Sequence, residues 1–136
     1  METKATFVGK YSEAVGRRKT AVARVRMYPG SGQITINNKD VGAYFPLLKL
    51  QEKVWQPLTV AGRKESFNVQ AKVEGGGITG QAEAVRLGIT RCLLIEDQDL
   101  KTSLKKSGLT TRDARKRERK KPGKRSARRS PQWSKR

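Results

Sequence analysis

The sequence predicts a single domain that contains both strands and helices, with a basic tail after it. The 136 residues suffice for one ordinary domain but not for two. Alternating apolar and polar residues dominate the first part of the chain, and the longest run with helical spacing follows them. Residues 101–136 hold 16 Lys and Arg against 2 Asp and Glu, whereas residues 1–100 hold 15 against 10. We therefore expect a domain over residues 1–109 and a tail over residues 110–136.

The N-terminal part of the chain is predicted to form strands. The first strand should run from Thr6 to Val15, and a basic loop, GRRKTA, from Gly16 to Ala21. The segment TAVARVRMY then alternates with the period of two that a half-buried strand requires. Its inward face comprises Ala21, Ala23, Val25 and Met27, and its outward face carries Arg24 and Arg26.

A turn and two further strands follow. The turn PGSG, Pro29–Gly32, precedes a short strand, QITIN, so residues 20–37 are predicted to form a β-hairpin. The segment Ser66–Val73 has the clearest alternation in the chain. Its inward residues are predicted to be Phe67, Val69, Ala71 and Val73.

A first helix is predicted within residues 40–58. Pro46 suits a first helical position, and Pro57 is expected to end the helix because proline has no N–H to donate. The predicted apolar stripe, flanked by Trp55, consists of Leu47, Leu48, Leu50, Val54 and Leu58.

The longest helix is predicted after the glycine-rich segment EGGG, with Thr79 as a candidate N-cap. Its apolar residues recur at three- and four-residue spacing and so form one stripe: Ile78, Ala82, Val85, Ile89, Cys92 and Leu93. A shorter helix from Gln98 to Lys106 is predicted to stop at Gly108.

The composition limits the function classes. A formal net charge of +19 indicates a strongly anionic partner, and nucleic acid fits best because its phosphates are dense. The absence of His excludes imidazole-based catalysis and every zinc site that needs His, and the single Cys92 excludes an intramolecular disulfide and a Cys-rich metal site. No spacing of Asp, Glu, Ser or Thr singles out a catalytic pair, so we expect neither an enzyme nor a cofactor. No apolar run approaches a membrane span, and no secretory signal is expected.

The segment GGGITG offers an alternative function. Gly75, Gly77 and Gly80 satisfy G-x-G-x-x-G, the fingerprint of dinucleotide sites, between a predicted strand and a predicted helix. A doubly wound sheet needs several βαβ units, and the predicted hairpin argues against them. We therefore interpret the glycines as permitting a sharp turn, with the helix start open to RNA phosphate.

The tail is predicted to be disordered until it binds a partner. After Leu109 it contains no Leu, Ile, Val, Phe or Met, so it cannot bury enough apolar surface to offset the entropy of ordering. Its arginines suit bidentate contacts with phosphate, and Trp133 offers a surface for stacking on bases. The alternative is a flexible arm that only adds solubility.

With these motifs the chain resembles the bacterial and plastid form of small-subunit ribosomal protein nine over nearly its whole length. The matching segments are GRRKTAVARV, PGSGQITIN, QPL at Gln56–Leu58, GGGITGQAEAVRLGITRCL and TRDARKRERKKPGKRSARRSPQWSKR. Cys92 stands where the family generally has alanine, and Trp133 where it often has phenylalanine. Both keep the size or flatness of the usual residue, so neither departure weakens the resemblance.

The resemblance implies an α+β fold with a small antiparallel or mixed sheet, packed helices and an uncommon left-handed βαβ crossover, as in domain two of small-subunit ribosomal protein five. It also implies a place on ribosomal RNA in the head of the small subunit, beside other ribosomal proteins of the head. The tail would thread through RNA toward the peptidyl site, where its tip approaches the bound transfer RNA. The compartment would be a bacterial cytoplasm or a plastid stroma.

We predict RNA contacts from the basic loop, the following strand, the glycine segment and the tail: Arg17, Arg18, Lys19, Arg24, Arg26, Gly76, Gly77, Arg112, Arg115, Arg117, Arg119, Lys120, Lys121, Lys124, Arg125, Arg128 and Arg129. The tip that contacts transfer RNA would comprise Trp133, Ser134, Lys135 and Arg136. Three rivals are a free-standing nucleic-acid-binding module, a nucleotide-using enzyme and a cationic membrane-active protein. The last is the weakest because the tail has no apolar face.

Overall fold

The computed structural model describes residues 7–135, so Thr6, the start of the predicted first strand, and Arg136 lie outside the described residues. Five strands form one mixed sheet in the order β1-β2-β5-β3-β4. The strands are β1 Ser12–Arg18, β2 Ala21–Pro29, β3 Ile34–Ile36, β4 Lys39–Asp40 and β5 Phe67–Glu74. The helices are α1 Val41–Tyr44, α2 Leu48–Ala61, α3 Ile78–Glu96 and α4 Lys101–Lys106, with a 3₁₀ turn at Gln98–Leu100. The predicted α+β class is confirmed.

One face of the sheet packs against helices and forms the core. The inward residues predicted for β2 and β5 are all buried there, which confirms the alternation in both strands. The helix α3 lies over β1 and β2, and α2 packs beside α3. Arg24 and Arg26 point to the opposite face, as predicted.

The predicted hairpin over residues 20–37 and the predicted loop at Gly16–Ala21 are both wrong. Gly16, Arg17 and Arg18 belong to β1, which pairs antiparallel with β2 around a tight turn at Lys19 and Thr20. The strand β3 pairs with β5 instead, and this pairing is parallel. Since β4, α1 and α2 connect β3 to β5, this part of the chain is a βαβ crossover.

The turn after β2 explains why β3 does not fold back onto β2. The side-chain oxygen of Asn68 accepts three backbone N–H groups, from Ser31 at 3.0 Å, Gly32 at 3.1 Å and Gln33 at 3.0 Å. This side chain holds the turn against β5, so β3 emerges on the far side of β5 from β2. Local turn residues alone do not reveal a partner almost forty residues away.

We expect Asn68→Ala to lower the free energy of unfolding by about 1–3 kcal/mol, because three N–H groups lose their acceptor. Chemical denaturation of the full chain measures the change. Gln70→Ala on the same strand is the matched control and should change stability by less than about 0.5 kcal/mol. Equal losses for the two variants would contradict the proposed role of Asn68 in the turn.

The structure has two helices, α1 and α2, where a single helix was predicted. Neither proline has the position in a helix that was predicted for it. Pro46 lies between α1 and α2 rather than at a first helical position, and Pro57 lies inside α2. Pro57 and Leu58 are buried, so their packing offsets the hydrogen bond that a helical proline cannot donate. Leu50, Val54 and Leu58 are buried as predicted, whereas Leu47 and Leu48 are exposed.

The helix α3 crosses the sheet unusually closely. A Cβ atom at Gly16 would lie 1.8 Å from the carbonyl oxygen of Ala84, and one at Gly88 would lie 2.4 Å from Cγ2 of Val25. The predicted stripe is confirmed for Ala82, Val85, Ile89, Cys92 and Leu93, but Ile78 is half exposed. Gly77, not Thr79, occupies the N-cap position.

Cys92 is buried beneath β1 and β2. Burial, with smaller contributions from Glu13 and Glu96, raises the pKa of its thiol to about 12. A thiol that stays protonated is a poor nucleophile, so this cysteine acts as a small core residue, as predicted.

The helix α4 ends as predicted at Gly108, which adopts a left-handed conformation with φ +71°. The N–H of Leu109 donates to the carbonyl of Leu104 at 3.1 Å, and that of Gly108 to Lys105 at 3.0 Å. This Schellman motif accompanies the burial of Leu104 and Leu109.

Candidate nucleic-acid interface

The turn between β1 and β2 and the glycine loop before α3 lie side by side. Gly75 and Gly76 both adopt positive φ angles, of +74° and +64°. A Cβ atom at Gly75 would lie 2.6 Å from the carbonyl oxygen of Thr20, so only glycine permits this approach. Arg18, Lys19, Gly76 and Gly77 line a hollow of about 360 Å³ at the start of α3. The open N–H groups of a helix start favour anions there.

A chain of hydrogen bonds holds the glycine loop in place. Gln81 of α3 donates from its side-chain amide to the carbonyl of Gly75 at 3.0 Å. The hydroxyl of Tyr44 donates to the side chain of Gln81 at 2.7 Å, and Asn37 donates to that hydroxyl at 3.3 Å. The loop is therefore fixed to the βαβ crossover before any ligand binds.

The other elements of a dinucleotide-binding fold are missing from the part of the chain that the structure describes. The strand β5 leads into α3, but α3 is followed by the 3₁₀ turn and α4 and not by another parallel strand. The only parallel pair among residues 7–135 joins β3 to β5. This geometry argues against the dinucleotide alternative, as expected.

Arg18 occupies a more enclosed site than its neighbours Arg17 and Lys19, which are exposed. Its Nε lies 2.7 Å from Oε2 of Glu83, and its guanidinium also contacts the carboxylate of Asp113 at 3.4 Å. The side chain is only 12% exposed. Arg18 therefore ties α3 to the first residues of the tail, and its direct contact with RNA stays a prediction.

The carboxylates around Arg18 are held in their charged form. Burial alone would raise the pKa of Glu83, but hydrogen bonds and charges from Arg18 and Lys53 outweigh it and lower that pKa. Hydrogen bonds from Arg115, with Arg18 adding a smaller effect, lower the pKa of Asp113 well below its usual range. The base of the tail is thus an ion-pair cluster, which no sequence spacing revealed because its members lie far apart in the chain.

The outward arginines of β2 share their face with residues that the sequence-based site prediction missed. Lys72 lies directly across from Arg24, and Gln70 directly across from Arg26. The alternation in β5 indicated that both residues face outward, but only the pairing of β5 with β2 brings them beside the arginines. Glu13 of β1 forms ion pairs with both arginines.

The tail is accessible along its described length. Residues 110–135 contain neither helix nor strand, and their basic residues are exposed: Arg112, Arg115, Lys116, Arg117, Arg119, Lys120, Lys121, Lys124, Arg125, Arg128, Arg129 and Lys135. Glu118 pairs with Lys121 and, at 2.9 Å, with Arg128, and so closes a local loop. Trp133 is 80% exposed.

Neither a metal site nor a membrane span is visible within residues 7–135. No group of three His, Cys, Asp or Glu side chains is arranged to hold a metal ion there. No helix in this part of the chain is both long and apolar enough to cross a bilayer.

The sequence of residues 16–136 matches the family described as Ribosomal protein S9/S16. The matched stretch begins inside β1 and includes the β1–β2 turn, the glycine loop and the whole tail. The features singled out by charge and geometry therefore all fall within the match.

Proposed function

Because the chain belongs to the Ribosomal protein S9/S16 family, we propose that its tail reaches transfer RNA in the peptidyl site of the small subunit. Proteins of this family are structural constituents of the small ribosomal subunit that bind ribosomal RNA. The predicted family, the structural role and the absence of enzymatic activity are thereby confirmed. The observation that carries the proposal is the tail itself, exposed and densely basic beyond a packed domain.

The domain and the tail divide the contacts with ribosomal RNA. Lys19 and the glycine loop, which line one hollow, bind phosphate at the start of α3. The tail neutralises further phosphates with the basic residues predicted above, from Arg112 to Arg129. Each such contact contributes roughly 0.7–0.9 to the slope of log K against log salt concentration. Arg18 supports this arrangement by fixing where the tail leaves the domain.

The last residues perform a separate task. Trp133 stacks on a base or a sugar, as its 80% exposure allows, and Ser134, Lys135 and Arg136 contact the transfer RNA. Stacking of this kind is worth about 1–3 kcal/mol per base. Arg136, which matches the family's terminal residue, lies outside the described residues.

Deletion of Ser134–Arg136 should weaken binding of transfer RNA at the peptidyl site while small subunits still assemble. The reason is that the deletion removes only two cations, whereas the remaining basic residues of the tail and domain keep the contacts with ribosomal RNA. Filter binding of transfer RNA to purified subunits measures the effect. Sedimentation of the same preparation measures incorporation of the protein.

Removal of two cations elsewhere, Lys105→Gln with Lys106→Gln, is the matched control for this deletion. It should leave binding of transfer RNA unchanged. If the truncated chain failed to enter subunits, the tip would be an assembly element. Absence of the intact chain from small subunits would contradict the proposed function.

The handedness of the crossover and the position of the domain in the subunit are also part of the proposal. We propose that the crossover from β3 to β5 is left-handed and that the domain lies in the head of the subunit beside other ribosomal proteins. The ribosome is proposed to be that of a bacterium or a plastid.

A further inference from the structure

The sheet has a face opposite the helices that combines cations from three strands. We call it the open face and define it by Arg17 of β1, Arg24 and Arg26 of β2, and Gln70 and Lys72 of β5. Residues directly opposite in antiparallel strands point to the same side of a sheet. The pairs Arg24 with Lys72 and Arg26 with Gln70 therefore lie next to each other.

The pairing of Arg24 with Lys72 is unfavourable for the protein alone. Like charges placed directly opposite each other destabilise a sheet. Glu13 pairs with Arg24 and Glu74 with Lys72, the latter at 3.7 Å, so the repulsion is only partly offset. Four cations, Arg17 among them, face two carboxylates, which leaves an excess of positive charge. An anionic partner would complement this excess.

The shape and composition of the open face indicate which anionic partner fits. Arg24, Arg26, Gln70, Lys72 and the neighbouring Asn38 line a hollow of about 450 Å³. Arg24 and Lys72 are well exposed, at 57% and 72% of their side chains. The centres of protein–protein interfaces are instead apolar and depleted in charged residues. A polar, cationic hollow suits a sugar–phosphate backbone better.

We propose that the open face is a second RNA surface, distinct from the tail and the glycine loop. It binds a run of ribosomal RNA backbone with phosphates at Arg24, Arg26 and Lys72. The amides of Gln70 and Asn38 lie where they can hydrogen-bond ribose hydroxyls or base edges. This inference rests on the proposed function, because it takes ribosomal RNA as the ligand.

The test measures binding of the full chain to purified small-subunit ribosomal RNA at a series of KCl concentrations. The test variant combines Arg24→Gln, Arg26→Gln and Lys72→Gln. The matched control removes three exposed cations of α4 by Lys101→Gln, Lys105→Gln and Lys106→Gln. Thermal unfolding of both variants establishes that the domain is intact.

The magnitude of the slope of log K against log salt concentration should decrease by about 2–3 in the open-face variant and by less than about 1 in the control. Equal changes of this slope in the two variants would overturn the proposal while leaving the proposed function intact. Loss of binding to polyglutamate with an unchanged RNA slope would assign the face to an acidic protein and also overturn it. If the unaltered chain bound this RNA without any dependence on salt, the proposed function would fail together with the proposal.

Discussion

Replacing Gly16 by alanine is expected to destabilise the protein by about 3 kcal/mol or more, the upper end of what overpacking costs. The added Cβ would lie 1.8 Å from the carbonyl oxygen of Ala84 and 2.5 Å from the amide nitrogen of Gly88. Both atoms belong to the backbone of α3, so no side chain can rotate away to make room. The helix must move off β1, and the core beneath it would loosen. Urea unfolding of the full chain measures the loss.

Gly80→Ala on α3 is the control for this prediction. A Cβ there would lie 3.6 Å from its nearest neighbour, the carbonyl oxygen of Arg18, which is ordinary contact. Because alanine favours a helix over glycine, this variant should be neutral or stabilised by up to about 1 kcal/mol. A Gly16→Ala protein as stable as the original would show that α3 does not approach β1 as closely as described.

Neutralising six cations of the tail should have the largest effect on RNA binding. The variant replaces them all by glutamine: Arg117, Arg119, Lys120, Lys124, Arg125 and Arg129. With about 0.7–0.9 of slope lost per contact, the slope of log K against log salt should fall by about 4–5. Affinity for small-subunit ribosomal RNA at 0.2 M KCl should then drop by about a thousandfold. Filter binding across a salt series measures both quantities.

A control with the same net charge separates position from total charge. It replaces six exposed lysines of the domain by glutamine: Lys10, Lys39, Lys49, Lys101, Lys105 and Lys106. Its slope should change far less than that of the tail variant. Equal losses in the two proteins would mean that RNA responds to total charge rather than to the tail.

The local sequence pattern correctly predicted the strands in which apolar and polar residues alternate. Val25 and Met27 in β2, and Val69 and Val73 in β5, alternate with polar residues and are buried as expected. The stop of α4 at Gly108 was equally predictable, because a left-handed residue after a helix favours glycine.

Strand pairing depended on contacts that are distant in sequence. The turn after β2 resembles a hairpin turn locally, but Asn68 fixes it against β5, and β3 therefore takes a parallel partner. Pro57 was expected to end a helix, yet its burial against the core allows α2 to continue. Tertiary packing outweighed local preference at both places.

In the candidate site, too, exposure could be predicted from local sequence, whereas contacts between distant residues could not. Arg17, Lys19 and the basic tail residues are exposed, and their contact with RNA stays a prediction. Arg18 was grouped with its neighbours because spacing does not reveal Glu83 and Asp113 as its partners. Lys72 was missed because its place beside Arg24 depends on the pairing of β5 with β2.

The most direct test of the account is an electron cryomicroscopy map of small ribosomal subunits that carry this chain and a transfer RNA in the peptidyl site. We expect one copy of the domain in the head, with its open face and glycine loop on ribosomal RNA. Density for the tail should continue through RNA to Trp133, with the final residues beside the anticodon stem-loop. A tail that folds back on its own domain, or ends far from the transfer RNA, would contradict the account.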